Sequence, residues 1–289
     1  MNNRFLGIIS LLSIGILFGL SGVIAKYLST WLNPYQVVEY RFLSAFVVAL
    51  IILFATKQKI HFDKINYKVL LAFALTFPIS VIFFTLAIFN TSVSLAVFSF
   101  YISTLVTSFI IGKIYFKEKI DKNKQIALLF ILLSIVCFTN PFYNFNIQIG
   151  FIFGIISGIF QTIASSFQKI VGKSSNRISL LILQTLTGVI VSVVSLLFFQ
   201  SSLAPSLPTL PLVITIFFGA IFLLISYLFL VGFKYVDLNV GSILVSSELF
   251  FGPFFAYLIL SQRLSTNEII GGLLILAAVI FANRQDKRN

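Results

Sequence analysis

The stretch PYQVVEYRFLSAFVVALIILFAT, residues 34–56, carries two charged side chains in a run that is otherwise about as apolar as lipid. A helix needs about 20 apolar residues to cross the hydrocarbon core of a bilayer, and this stretch is long enough. A charge at the centre of such a helix costs about 2.5–3.5 kcal/mol on insertion scales. Glu39 and Arg41 therefore each need a partner inside the protein or access to water.

The composition of the whole chain indicates that lipid is its solvent. Of 289 residues, 59% are hydrophobic and only 10% are charged, whereas soluble domains carry about 25% charged residues. So little charge cannot cover the surface of a fold in water. The sequence therefore predicts an all-α integral membrane protein.

Ten apolar runs are long enough to be transmembrane helices. They cover residues 5–28, 34–56, 67–89, 93–116, 124–140, 148–171, 177–199, 211–233, 239–260 and 267–283. An even number of spans places both termini on one side of the membrane. That side then holds seventeen of the twenty Lys and Arg residues.

This charge asymmetry predicts the orientation, because positively charged loops stay on the cytoplasmic side. We expect a multi-pass protein of the cytoplasmic (inner) membrane, with both the N- and the C-terminus in the cytoplasm. The asymmetry also accounts for the net charge of +12, so no nucleic-acid partner is expected.

The two halves of the chain show a weak internal repeat. At an offset of 143, Lys26 falls on Lys169 and Asn33 falls on Asn176; from the third span onward the offset is 144. In each half the lysine lies at the end of the first predicted helix and the asparagine lies at the start of the second. Five helices per half is an odd number, so the halves are expected to lie in the membrane with opposite orientation. Inverted repeats of this kind are common in secondary transporters.

The expected domain organisation follows from this repeat. The first five-helix repeat covers residues 1–140 and the second covers residues 148–283. Residues 284–289 are expected to form a cytoplasmic tail.

Short motifs carry a family resemblance. YFKEKI, residues 115–120, places Glu118 at the end of the fourth span, and LSQRL, residues 260–264, is its partner with Gln262 in place of glutamate. The second span contains Arg41, and Glu248 lies fourteen residues before Gln262. The chain thus resembles EamA-type transporters of the drug/metabolite transporter superfamily, whose second span has a characteristic arginine at the position of Arg41. The resemblance implies ten helices in two repeats, cytoplasmic termini and transport of small metabolites.

Arg41 and Glu248 are predicted to lie at similar depths in the membrane. At 1.5 Å per residue, Arg41 lies about 10 Å and Glu248 about 16 Å below the outer surface. We hypothesise that both face one central cavity, where they bias its conformation or bind a zwitterionic substrate. A buried structural ion pair between them is the alternative.

Further polar residues are candidates for the substrate pathway. Glu39 points about 200° away from Arg41 around the helix, so it is either a gate, a proton-linked carboxylate or a solvated residue near the mouth. Gln161, Gln184, Tyr101 and Tyr227 are candidate wall residues of the cavity. Glu39 and Glu248 are the candidate carriers for proton coupling.

The loops leave no room for a separate soluble domain, since no connection exceeds about a dozen residues. The sequence shows neither metal-ligand spacing nor a nucleophile–base set, so we expect no enzyme activity, no metal and no cofactor. The predicted function is secondary-active export of an amino acid or related compound by alternating access. The alternatives are a metabolite uptake permease, a lipid-carrier translocase or a membrane scaffold without a transport cycle. The expected partners are a small-molecule substrate, the lipid bilayer and protons, in a monomer or a homodimer.

Overall fold

The structure is a computed structural model that describes residues 3–62, 65–91, 93–139, 149–173, 176–199, 207–260 and 266–283. Within these ranges the chain is helical and contains no strand. The helices are α1 (Asn3–Leu28), α2 (Pro34–Thr56), α3 (Tyr67–Asn90), α4 (Val93–Ile114), α5 (Lys122–Thr139), α6 (Ile149–Val171), α7 (Arg177–Phe198), α8 (Thr209–Tyr235), α9 (Leu238–Val245), α10 (Glu248–Leu260) and α11 (Thr266–Asn283). Gln262 and the expected tail, 284–289, lie outside the described residues.

Seven segments in these ranges are long and apolar enough to cross a membrane by length and composition. They are α1, α2, α3, α6, α7, α8 and the segment Leu238–Ile259, which runs through α9 and α10. Helices α4 and α11 contain shorter apolar stretches, Ser99–Ile114 and Ile269–Ala282. The expectation of an all-helical, multi-pass membrane protein is confirmed, while the count of ten spanning helices stays a prediction.

The predicted ninth span, 239–260, is not one continuous helix. Helix α9 ends at Val245 and α10 begins at Glu248. Between them, the backbone N–H groups of Ser247, Leu249 and Phe250 donate to the carbonyl three residues back, which is 3₁₀ geometry and often marks a hinge. The turn places Glu248 at the first residue of α10.

One asparagine starts the second helix in each half of the chain. The Asn33 side chain accepts a hydrogen bond from the Gln36 N–H at 2.9 Å, and the Gln36 side chain accepts one from the Asn33 N–H at 3.0 Å. This reciprocal arrangement is a capping box. The Asn176 side chain accepts from the Ser179 N–H at 3.2 Å. The two asparagines that match in the sequence repeat therefore have the same role, helix initiation.

Contacts between helix ends define the two faces of the bundle. We call the end where α1 begins the N-terminal face. Gly7 of α1 lies there against Val236 at the end of α8, and Val236 accepts a hydrogen bond from Lys169 at the end of α6. At the opposite face, the Tyr35 ring at the start of α2 stacks on the Phe199 ring after α7, with centroids 4.7 Å apart.

The packing between helices is symmetric with respect to exchange of the two halves. We match α1–α5 in order with α6, α7, α8, the α9–α10 segment and α11. The contact of α3 with α6 then corresponds to that of α8 with α1, and the contact of α4 with α6 corresponds to that of α10 with α1. The contact of α2 with α8 likewise corresponds to that of α7 with α3. A two-fold relation between the halves produces such a pattern.

One close approach is repeated in both halves. Gly15 of α1 lies against Ser247 in the turn before α10, where a Cβ on Gly15 would be 3.0 Å from the backbone nitrogen of Glu248. Gly158 of α6 lies against Ser103 of α4 in the same way. The two glycines match at the offset of 143 and the two serines at 144. A side chain at either glycine would force the helices apart, because protein interiors are already close-packed.

Candidate functional site

A cavity of about 240 Å³ opens towards the opposite face of the bundle. Its mouth lies near the end of α1, at Lys26 and Ser29, and near the end of α3, at Phe89. Lys26 is exposed there. The mouth therefore carries a positive charge beside mainly apolar walls.

The deep end of the cavity lies near the middle of the bundle. It is formed by Arg41 from α2, Phe77 from α3, Gln161 from α6 and Glu248 from the start of α10. The structure thus brings three of the sequence candidates, Arg41, Gln161 and Glu248, to one cavity wall.

Four phenylalanines close the bundle between this deep end and the N-terminal face. The Phe77 ring stacks on Phe222 with centroids 5.4 Å apart, and the Phe229 ring stacks on Phe233 at 5.7 Å. Phe77 also meets Phe229 edge-on at 5.9 Å, and all four side chains are buried. We call Phe77, Phe222, Phe229 and Phe233 the aromatic plug. The cavity is open towards one face and packed shut towards the other.

Arg41 is buried against aromatic rings. Its guanidinium carbon lies 4.1 Å from the ring centroid of Phe218 and 5.5 Å from that of Phe222. A cation over aromatic faces gains about 0.5–2 kcal/mol. In the described part of the chain the Arg41 Nε has no hydrogen-bond partner, and no ion pair joins Arg41 to Glu248. The structural ion pair given above as the alternative is therefore not formed among the described residues, and the buried Arg41 Nε–H has no partner there.

Glu248 is held by Tyr101 of α4. The Tyr101 hydroxyl donates to the Glu248 carboxylate and lies 3.5 Å from the carbonyl oxygen of Val245. Tyr101 is only 1% exposed, so it supports Glu248 from inside the protein. The first turn of α10 also favours a negative charge, because its backbone N–H groups and helix dipole point towards it.

Gln161 belongs to a polar network between α3 and α6. Its Oε1 accepts from the Ser80 hydroxyl at 3.3 Å, and its Nε2 donates to the Ser165 hydroxyl at 3.5 Å. The Ser80 hydroxyl shares its one proton between Gln161 Oε1 and the Ser157 carbonyl, and the Ser157 hydroxyl donates to the Ser80 carbonyl. These bonds fix the orientation of the Gln161 amide at the cavity wall.

The sequence reasoning missed Ser80 and Lys26 as cavity residues. A lone serine in an apolar helix usually indicates helix packing, and its one usable signal is the rarity of polar residues on α3. In the sequence, Lys26 stands out only as the repeat partner of Lys169. Its signal was its position on the side that holds almost no positive charge.

Three sequence candidates lie away from this cavity. Glu39 does not line it, and in the described residues its Oε2 is buried without a hydrogen-bond partner. Gln184 is 1% exposed, lies in the first half of α7 and does not line the cavity. Tyr227 is 37% exposed, and its hydroxyl accepts from Arg177 at 3.1 Å. The structure does not bring these three side chains together with Arg41.

Comparison with known families gives a match over nearly the whole chain. The EamA-like transporter family matches the chain twice, over residues 5–140 and 148–284. The chain belongs to the EamA-like transporter family. EamA proteins are membrane transporters of the drug/metabolite type and generally not enzymes, so this EamA chain has a small-molecule substrate and a lipid environment.

The fold is also found among solved structures. One crystal structure of a protein superposes on this EamA chain with a TM-score of 0.77 at 12% sequence identity, covering 97% of this chain and 96% of the other. At this identity the likeness shows a shared fold alone. No curated protein matches the chain.

Proposed function

We propose that this EamA protein is a secondary-active transporter that moves a small metabolite across the cytoplasmic membrane by alternating access. The observation that carries the proposal is the one-sided cavity. Arg41 and Glu248 lie at its deep end, and the aromatic plug packs the bundle shut beyond it. A carrier exposes its midplane site to one side at a time, so such a cavity is the expected form of one end state.

The proposed architecture is ten transmembrane helices in two inverted five-helix repeats, 1–140 and 148–283. The symmetric packing of the two halves supports this arrangement, as do the paired caps Asn33 and Asn176. In such a carrier one repeat rocks against the other around a central site.

The proposed orientation places the N-terminal face in the cytoplasm. The charge asymmetry of the loops supports it, since seventeen of the twenty Lys and Arg residues are assigned to that side by the ten-helix topology. With this orientation, the structure is an outward-open state and Lys26 lies at the external mouth.

The proposed substrate is a small zwitterion with an apolar part, most simply an amino acid or a related compound. Arg41 lines the cavity with a cation that suits a carboxylate, and the carboxylate of Glu248 in the same wall offers an acceptor to an ammonium group. A cavity of about 240 Å³ lies below the ~300–1,000 Å³ of pockets for drug-sized ligands. This volume favours a small metabolite over the substrate of a lipid-carrier translocase.

We propose export as the direction, with Glu248 as the proton-coupled carboxylate and Glu39 as the second candidate. An outward-open cavity releases an exported substrate, and the same state captures substrate in an uptake permease. The direction of the productive gradient therefore separates export from uptake.

The test is transport by the purified protein in proteoliposomes. Vesicles are loaded with unlabelled amino acids and related metabolites in turn. Entry of the labelled compound from outside, which is counterflow, is measured with and without a pH gradient. We expect counterflow of at least one amphipathic zwitterion, and we expect Arg41→Gln to abolish it. Lys68→Gln, which neutralises an exposed lysine at the start of α3, is the matched control and should transport normally.

Glu248→Gln separates coupling from binding. If Glu248 carries the proton, the variant loses the response to a pH gradient. Absence of counterflow for the whole panel would contradict the proposed substrate class, and normal transport by Arg41→Gln would contradict the proposed site. A membrane scaffold predicts no counterflow with any variant.

A further inference from the structure

Two glutamines in the parts of α6 and α7 nearer the N-terminal face are buried without hydrogen-bond partners in the described residues. Gln168 of α6 is 0% exposed and Gln184 of α7 is 1% exposed. In the part of the chain that the structure describes, neither the nitrogen nor the oxygen of either amide has a partner. Buried amides are almost always hydrogen-bonded, so an unpaired amide in a native structure requires an explanation.

The sequence repeat supplies an explanation for the two unpaired amides. At the offset of 143, Gln168 matches Ala25 and Gln184 matches Arg41. Both Ala25 and Arg41 line the open cavity. The two unpaired amides therefore occupy the positions that would line the two-fold-related cavity on the N-terminal side.

A third matched position lies beside them. Lys169 matches Lys26, which stands at the mouth of the open cavity. Lys169 does not stand at an open mouth: its ammonium group donates to the carboxylate of Glu118 at 2.7 Å and to the Val236 carbonyl at 3.2 Å. It also lies 5.0 Å from the ring centroid of Phe116.

Glu118 connects the two halves of the chain at this face. Besides Lys169, it accepts hydrogen bonds from the backbone N–H groups of Leu238 at 2.6 Å and Asn239 at 3.2 Å, at the start of α9. Its side chain is only 4% exposed. Glu118 follows α4 in the first half, whereas its three partners belong to α6 and α9 in the second half. The bonds therefore hold the ends of α4, α6 and α9 together.

We propose that Gln168, Lys169 and Gln184 line a second cavity, closed in this conformation, and that the Glu118–Lys169 ion pair holds it shut. The inference rests on the proposed alternating access and names the residues of its other side. When α4 separates from α6 and α9, water and substrate reach the two amides, and Lys169 comes to stand at the mouth as Lys26 does now. Opening on this side closes the cavity that contains Ala25.

The sequence makes the two sides unequal. The position that matches Glu118 at the offset of 144 is Gln262, and an amide cannot form an ion pair with Lys26. The ionic contact is therefore specific to the N-terminal face, and it favours the state that is closed there.

The test is cysteine labelling, which needs no substrate. Single cysteines are introduced as Gln168→Cys, Gln184→Cys and Ala25→Cys in a Cys137→Ser background, and the protein is placed in nanodiscs, where a membrane-impermeant maleimide reaches both faces. We expect slow labelling at 168 and 184 and fast labelling at 25. Adding Glu118→Gln should accelerate labelling at 168 and 184 by at least about tenfold, because one partner of a buried charge pair is lost, and should slow labelling at 25.

The reciprocal change distinguishes a gate from a merely structural contact. Ser134→Cys, at a fully buried position of α5, is the matched control and should stay unlabelled. If Glu118→Gln also exposes position 134, the same labelling is measured in Lys169→Gln, which leaves Glu118 bonded to α9. Faster labelling at 168 and 184 together with slower labelling at 25 is again the criterion for a gate. Unchanged labelling at 168 and 184 in both Glu118→Gln and Lys169→Gln would overturn the proposal. A failed transport assay leaves this labelling result standing, so the two proposals fail separately.

Discussion

Replacing Gly19 by alanine should destabilise the protein, whereas the same replacement at Gly22 on the same helix should not. A Cβ on Gly19 would lie 2.8 Å from the backbone nitrogen of Gly252 and 2.8 Å from the backbone carbonyl carbon of Phe251. Ordinary contacts between carbon atoms begin at about 3.5 Å, so α1 and α10 would have to separate by roughly 0.7 Å. A Cβ on Gly22 would meet nothing within 4 Å, because Gly22 faces the cavity.

The magnitude follows from comparing the two variants. Both exchange glycine for alanine inside α1, which gains about 0.8–1 kcal/mol of helix propensity in each case. This gain cancels in the comparison. The remaining difference is the cost of overpacking at Gly19, about 1–3 kcal/mol. Backbone atoms cause the clash, so no side-chain rotation relieves it.

The assay is thermal unfolding of both variants and the wild type in the same detergent, followed by circular dichroism. We expect the midpoint of Gly19→Ala to fall below that of the wild type and the midpoint of Gly22→Ala to equal or exceed it. If Gly19→Ala unfolds at or above the temperature of Gly22→Ala, α1 and α10 do not pack as closely as the structure shows.

Three further predictions concern polar contacts. Tyr101→Phe removes the hydroxyl that donates to Glu248 and should cost about 1–3 kcal/mol of stability; Tyr227→Phe, at an exposed position, should leave the unfolding midpoint unchanged. The charge exchange Arg41→Glu with Glu248→Arg should not restore transport, since no ion pair joins these side chains in the described residues; restored counterflow would show a structural pair. Removing a helix cap by Asn33→Ala or Asn176→Ala should each cost about 1 kcal/mol, seen as a lower midpoint of chemical unfolding; no shift in either variant would contradict the role as caps.

The positions of the helices could be read from the sequence because the signal is strong and local. The second predicted span, 34–56, coincides with α2, and Asn33 marks its start through a capping box. The ninth span was predicted as continuous, and the structure divides it at Ser246 and Ser247. Serine does not break a helix by itself, so the 3₁₀ turn depends on tertiary contacts, such as the close approach of Gly15.

The candidate site could be predicted in depth along the membrane but not in direction around each helix. Residue counts placed Arg41 and Glu248 near one level, and both line the cavity. Counting does not give the rotation of a helix about its axis once neighbours are packed against it. The rings of Phe218 and Phe222 receive the guanidinium of Arg41, and Tyr101 receives the carboxylate of Glu248. Those partners are set by tertiary packing.

Gln184 is a pathway residue in the sequence-based prediction, yet it does not line the cavity. It matches Arg41 in the sequence repeat, and the helices that carry the two residues, α2 and α7, pack against each other. An inverted-repeat carrier encodes the walls of both end states in one sequence, whereas a structure shows one state. On the closed side of such a carrier polar residues are buried, and the amides of Gln168 and Gln184 are buried without partners in the described residues. Each such group costs about 1–3 kcal/mol, and hydration of the amide in the other state would recover that cost. The unpaired amides of Gln168 and Gln184 are therefore the groups that water would reach in the proposed second cavity, as Arg41 lines the open one.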